Sequence, residues 1–311
     1  MIGGPTASGK TALSVSLASH FSCHVLSADS RQFYRELNIG TAKPSNDELK
    51  EVPHHFIDNL SVTDEYDVGK YETEVLAKLK EIFEEDDIAI LVGGTGLYLH
   101  AVCHGLDPFP KVKSTDRAHY NELYSRSGIE ALQREIRVLD PTYSLVVDLN
   151  NPHRLIRALS FIKSTGQKFS DYRSQSKFER PFTPLYFATH MDREILYERI
   201  NRRVDKMVLD GLEEEAREVF KYRSYNATNT VGYKELFAYF DGEMSKKMAV
   251  EKIKQHTRNY AKRQITWFKN QGEWVFIDPN DVAGATELIQ GLINGHSTKT
   301  LFNASNKNIS I

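Results

Sequence analysis

The sequence predicts an α/β protein: a parallel sheet flanked by helices and interrupted by an all-helical insertion. Three observations carry this. The stretch "GGPTASGKTAL" (3–13) matches the phosphate-binding loop pattern G-x-x-x-x-G-K-[ST] and runs into an amphipathic segment. Apolar runs of strand length alternate with helical periodicities over residues 1–105, the pattern of strand–helix–strand units. From 113 to 181 that alternation stops and only helical signal remains. The expected organisation is a P-loop NTPase-like core over 1–112 and 182–295, a helical insertion domain over 113–181, and a disordered tail over 296–311 rich in Ser, Asn and Thr.

The elements follow in order. Only Met1, Ile2 and Gly3 precede Gly4, so the first strand is expected to be very short or to start at an internal methionine. Leu13, Leu17 and Phe21 share one face of a helix running from Thr11 to about His20. "CHVLSADS" (23–30) reads as a short strand ending in polar residues, and Val75, Leu79, Ile82 and Phe83 mark the next helix. "IAILVGG" (88–94) is a continuous apolar run, as in a strand buried on both faces. After the Pro-punctuated "GLDPFPKVKS" (105–114), "NPHRLIRALSFIKSTG" predicts a helix stopped at Gly166. "PLYFATH" (184–190) returns to strand, two long helical stretches follow over 192–222 and 245–270, and "EWVFID" (273–278) closes as a strand. In such a sheet the ligand lies at the carboxyl ends of the strands, where Lys10, Asp29 and Thr95 all fall.

Bulk properties exclude several classes. The 311 residues carry a net charge of −2, so a nucleic-acid partner would need local basic patches. Cys23 and Cys103 are the only cysteines, which argues against a disulfide framework or thiolate zinc site and fits a reducing cytoplasm. No apolar run approaches a membrane span, and no signal peptide is evident.

Chemistry-bearing residues then fall into groups. Backbone N–H groups across Gly4, Pro5, Thr6, Ala7, Ser8 and Gly9 would cradle phosphate oxygens; Lys10 adds charge, and Thr11 can place its hydroxyl on Mg²⁺. The most apolar strand ends in Gly-Gly-Thr, without the acid that many ATPases use to hold the metal. Asp29 could be a metal ligand, a general base or a helix N-cap. Thr95, among three glycines, could offer a hydroxyl to a ligand or simply sit in a tight turn. Arg199, Arg202, Arg203 and Lys206 make i, i+4 pairs on two neighbouring faces, available to a diphosphate or to salt bridges with Glu194 and Glu198. His54 and His55 read as structural. Two acid-poor basic stretches, Arg154–Arg180 and Lys252–Lys269, suggest phosphate-backbone contacts; in the second, Lys254, Arg258 and Lys262 share one helical face.

Together these residues resemble the tRNA dimethylallyltransferases (tRNA isopentenyltransferases). The matching stretches include "GPTASGKT", "SADSRQFYRELNIGTAKPS", "VPHHFID", "LVGGTGLYL", "NPHRLIRAL", "RINRRVDKMVLDGL", "TVGYKE" and "YAKRQITWFKN", in the family order and covering the chain to about residue 278. The resemblance implies transfer of a dimethylallyl group from dimethylallyl diphosphate to the exocyclic amine of the adenosine 3′ of a tRNA anticodon. The loop would then hold a diphosphate, and an ATP-binding label would rest on the loop pattern alone. Carried over by position, Asp29 would be the general base, with Thr95 and Arg203 near the reacting centre and Lys10, Ser8 and Thr11-bound Mg²⁺ on the diphosphate. The tRNA anticodon stem-loop would meet Asp29, Ser30, Arg31, Gln32, Thr95, Arg117, His153, Arg154, Leu155, Ile156, Arg157, Gly232, Tyr233, Lys262, Arg263, Gln264 and Trp267. No Cys₂His₂ pattern follows residue 278, so the resemblance is to the bacterial type, acting as a cytoplasmic monomer. Competing readings are a prenyltransferase of free adenine nucleotides, a P-loop small-molecule kinase and a non-catalytic RNA partner.

Overall fold

The computed structural model describes residues 1–107, 109–172 and 179–295. The expected tail 296–311, together with Arg173 and Lys177 of the first basic stretch, lies outside the described residues. The chain forms two compact units, Met1–Cys103 continued from Arg180 onward, and His104–Glu179.

The first half holds β1 (Ile2–Gly3), α1 (Lys10–Phe21), β2 (His24–Ser27), α2 (Asn46–Glu51), β3 (His54–His55), α3 (Val68–Ile82), β4 (Ala89–Val92) and α4 (Gly96–His104). The inserted unit holds α5 (Ser114–Leu139), α6 (Pro141–Val146) and α7 (Pro152–Thr165). The chain then adds β5 (Phe187–Thr189), α8 (Arg193–Leu209), α9 (Leu212–Val219), α10 (Tyr233–Phe240), α11 (Lys246–Asn270), β6 (Val275–Ile277) and α12 (Val282–Ile293).

The six strands form one parallel sheet in the order β3-β2-β4-β1-β5-β6. β1 lies between β4 and β5; its own connection runs to β2 on one side, while the one from β4 crosses to β5 on the other, which opens a crevice at the carboxyl end of β1. The phosphate loop occupies that position. Side chains alternate across the strands: Val25 enters a core with Ile2, Leu13, Leu17 and Ile289, while Leu26 joins Tyr71, Val75, Leu99 and Phe268 on the other face. Both faces are covered, which is why the "IAILVGG" strand has no polar side. β3 was not readable from sequence, because two histidines at a sheet edge carry no apolar period; His55 pairs with Leu26 in register. His54 Nδ1 is 2.8 Å from the Val52 carbonyl oxygen and His55 Nε2 is 2.8 Å from His24 Nδ1. Among the described residues no cluster of three metal-ligating side chains forms.

Helix ends follow local chemistry. Asp67 caps α3 through the N–H groups of Gly69 and Lys70, and Ser245 caps α11 through Met248. The inserted unit is helical. Its core joins Tyr120, Leu132, Ile136, Leu155, Ile156, Leu159, Phe161 and Phe169. α7 starts at an Asn151 cap with Pro152 in its first turn and stops at Gly166, whose φ of 72° ends the helix. Buried Asp140 accepts from the backbone N–H groups of Tyr143 and Ser170 and from the Ser170 hydroxyl.

Candidate active site

A cavity of about 1100 Å³ at the carboxyl end of the sheet is lined by Thr6, Ala7, Gly9, Lys10 and Thr11. Asp29 and Thr95 face it from the ends of β2 and β4, and Arg199 and Arg203 from α8. The loop turns sharply, with Ala7 at φ 63°, a left-handed conformation that a non-glycine residue seldom keeps unless its surroundings enforce it.

Arg203 donates through Nη1 to the Thr6 hydroxyl (3.2 Å) and through Nη2 to the Ala42 carbonyl (3.5 Å). Burial lowers its pKa from the ordinary arginine value, opposed by the Asp29 charge. Lys10 donates to the Pro5 carbonyl at 2.6 Å; burial pulls its pKa down to about 7, with Asp29 opposing and Arg203 adding to the fall. An arginine and a lysine held together beside a glycine-rich turn favour an anion between them.

Asp29 is not a helix cap. Its Oδ1 accepts from the Arg31 backbone N–H two residues on (3.0 Å), a turn, and no helix begins there. Its own N–H donates to the Ser27 hydroxyl (3.3 Å), which fixes the residue to the end of β2. Thr95 accepts from the Ser30 N–H (3.4 Å) and hydrogen-bonds Tyr260, a cavity residue of α11. Burial and then the Asp29 charge push the Tyr260 phenol up to about 12, so it stays protonated.

Several expected site residues do other work. Ser8 is fully buried and its hydroxyl lies 2.6 Å from that of Thr189, so its side chain latches the loop to β5 instead of reaching a phosphate. Gln264 is 6% exposed; its Oε1 accepts from the Thr6 N–H and its Nε2 donates to the Gly94 carbonyl, both at 2.9 Å. It sews the phosphate loop to the Gly-Gly-Thr turn at the cavity wall. A Cβ on Gly94 would stand 2.2 Å from that amide nitrogen, so only glycine fits there. Trp267 is half-buried, packed against Phe268 and Trp274 in edge contacts and over Gly96. Tyr233 is buried under its hydrogen bond to Glu215, while Gly232 does reach the cavity. Leu155 and Ile156 lie in the core of the inserted unit, so their side chains cannot meet a nucleic acid. The resemblance carries them over only because the segment 153–157 is taken as one block.

The remaining expected contacts are accessible. Arg117, His153, Arg154 and Arg157 are exposed in the inserted unit, and Arg157 stacks its guanidinium over Phe109 and Phe169 at 5.3 and 5.8 Å. Lys262 and Arg263 are exposed on α11. Ser30, Arg31 and Gln32 line the cavity, with Arg31 anchored on the carbonyls of Asn226 and Ala227 at 2.8 and 3.2 Å. The shared basic face of α11 is broken up, however. Lys254 pairs with Asp205 at 2.7 Å and Arg258 with Asn201 at 2.5 Å, both on α8.

A phosphate-loop pattern at the carboxyl end of the central strand of a parallel sheet, opposed by an acid at the end of β2, defines the class: an α/β protein with a candidate phosphate site. Comparison with known proteins narrows the class. Residues 32–271 match the family model described as IPP transferase. A protein named tRNA dimethylallyltransferase from Christiangramia forsetii is 49% identical over 279 residues, covering 89% of this chain and 92% of the relative. One from Bacteroides thetaiotaomicron is 46% identical over 289 residues, 93% of each. The crystal structure of the full-length tRNA isopentenylpyrophosphate transferase from Bacillus halodurans superposes with a TM-score of 0.71 at 34% identity, covering 94% of this chain and 95% of that one. The chain belongs to the IPP transferase family and is a transferase.

Proposed function

We propose that the protein transfers a dimethylallyl group from dimethylallyl diphosphate to the exocyclic amine of an adenosine next to a tRNA anticodon. One observation carries the chemistry: Asp29, Thr95, Arg203 and the phosphate loop line the same cavity. The amine nitrogen attacks the allylic carbon, the C–O bond to the diphosphate breaks, and its electron pair leaves with the diphosphate. Asp29 Oδ2, which takes no hydrogen bond among the described residues, accepts the amine proton as the new C–N bond forms. Arg203 and Lys10 neutralise charge developing on the leaving oxygen. Thr95 and Tyr260 present hydroxyls beside Asp29 for orienting the adenine.

Mg²⁺ fits this reading. The Thr11 hydroxyl faces the cavity with no protein hydrogen bond among the described residues, and magnesium is usually held by one or two protein oxygens together with substrate phosphates and water. Thr11 would hold it, and the ion would supply charge neutralisation on the diphosphate. The target base must leave its stack to enter, which an anticodon loop allows cheaply. The exposed cations Arg117, His153 (when protonated), Arg154, Arg157, Lys262 and Arg263 supply phosphate-backbone contacts. A cytoplasmic monomer belongs to the same reading.

The test is a transfer assay with labelled dimethylallyl diphosphate and Mg²⁺. Separate reactions hold an anticodon stem-loop with the target adenosine, the same stem-loop with guanosine there, and AMP. Label on the first alone, lost in Asp29→Ala, is the expected result. Label on AMP instead would move the activity to free nucleotides, and label nowhere would sink prenyl transfer.

A further inference from the structure

Resting on that reading, we infer that Glu215, on α9, is a positioning residue that sets the catalytic cavity through the loop at residues 38–42. Nothing in the sequence patterns singled it out. Its carboxylate takes four hydrogen bonds at once. Oε2 accepts from the backbone N–H groups of Asn38 (2.9 Å) and Ile39 (2.8 Å), and Oε1 accepts from the Gly40 N–H (2.9 Å) and the Tyr233 hydroxyl (2.6 Å). Three successive backbone donors converging on one group form the kind of concavity that binds anions. Here the anion is built into the chain.

The clamp reaches the chemistry through two carbonyls. Ala42 accepts from Arg203 Nη2 (3.5 Å) and Gln32 Nε2 (3.2 Å), and Thr41 also accepts from Gln32 Nε2 (3.4 Å). The Gln32 Oε1 then takes the Ser27 hydroxyl (3.1 Å), the same oxygen that receives the Asp29 N–H. One loop therefore fixes both the diphosphate-facing arginine and the strand end that carries the base.

The loop would not hold this shape unaided. Ala42 sits at φ 49°, ψ 54°, a left-handed conformation that costs an alanine roughly 1–2 kcal/mol. Gly40 lies under the Tyr233 ring, where a Cβ would come within 2.6 Å of its hydroxyl. Burial, then the adjacent Glu215 charge, raises the Tyr233 phenol far above its ordinary value, so it remains a donor.

Glu215→Gln tests this with little change of volume, because its amide nitrogen must face at least one backbone N–H. Three quantities are measured: inorganic pyrophosphate affinity, kcat for dimethylallyl transfer, and stem-loop affinity. Pyrophosphate binding is expected to weaken about tenfold and kcat to fall tenfold or more, while a thermal melt stays cooperative and stem-loop affinity stays within twofold. Tyr233→Phe keeps the ring, removes one donor of four, and is expected to lower kcat about threefold in a folded protein. If Glu215→Gln does not fold, this second variant decides. Pyrophosphate affinity and kcat both within twofold of wild type in the folded variants would overturn the inference. An inactive wild-type protein would instead count against prenyl transfer, and the pyrophosphate measurement would still read the clamp.

Discussion

Helices α8 and α11 each carry a row of cations at i, i+4 spacing, and the two rows read alike in sequence. On α8, Arg199 and Arg203 turn into the cavity, whereas Arg202 and Lys206, three residues further on in each case, pair with Glu198 and Asp210 in solvent. On α11 the row Lys254, Arg258, Lys262 splits along its length. The first two lie against Asp205 and Asn201 of α8, and only the last is exposed. Spacing says which cations share a face. What lies opposite that face decides whether a cation is substrate-binding, structural or idle.

The comparison breaks most visibly at Arg203. Arg203→Ala is expected to cost roughly 10²–10³ in kcat, the usual effect of losing one donor to a developing anion. Arg202→Ala should stay within twofold; steady-state transfer kinetics on both variants check the pair, and equal losses would mean that the α8 faces are not distinct.

The inward face of α11 gives the next effect. Gln264→Leu strands the Thr6 N–H and the Gly94 carbonyl, and each stranded buried group costs about 1–3 kcal/mol. A several-degree fall in melting temperature is expected, together with weaker pyrophosphate binding. An undisturbed melt with reduced stem-loop affinity alone would return Gln264 to the RNA surface.

Lys10 sharpens the cationic side through pH. With a folded-state pKa of about 7 against about 10.5 when unfolded, the folded protein binds fewer protons between those values. The contribution of this group therefore makes ligand-free stability rise with pH from 7 to 10.5. A bound diphosphate restores the charge, so pyrophosphate binding at pH 8 should take up close to one proton and at pH 6 far less. Calorimetry in buffers of different ionisation enthalpy measures this, and no uptake at pH 8 would contradict a neutral Lys10.

The smallest effect separates the two ends of α11. Lys262→Ala is expected to reduce the salt slope of stem-loop binding by about 1. Lys254→Ala should leave that slope alone and cost at most about 1 kcal/mol of stability, as partly exposed ion pairs do. A fluorescence titration at several salt concentrations distinguishes them.

Where a segment's own residues dictate its form, the sequence was sufficient. The phosphate loop, the buried β4 run, the α7 stop at Gly166 and the parallel α/β class follow from local pattern, because glycine conformations, hydrophobic periods and caps act within a few residues. Asp29, Thr95, Lys10 and Arg203 could be nominated for the same reason: each sits at a recognisable strand end, loop or helix face. The tertiary structure alone decided which members of a motif point inward. Ser8 against Thr189, Gln264 between Thr6 and Gly94, Leu155 and Ile156 in their core, and Glu215 beneath residues 38–40 depend on contacts between residues far apart in the chain. No local spacing encodes a partner 175 or 258 positions away. Burial and hydrogen-bond satisfaction are properties of the assembled core, and they turned several presumed surface contacts into its supports.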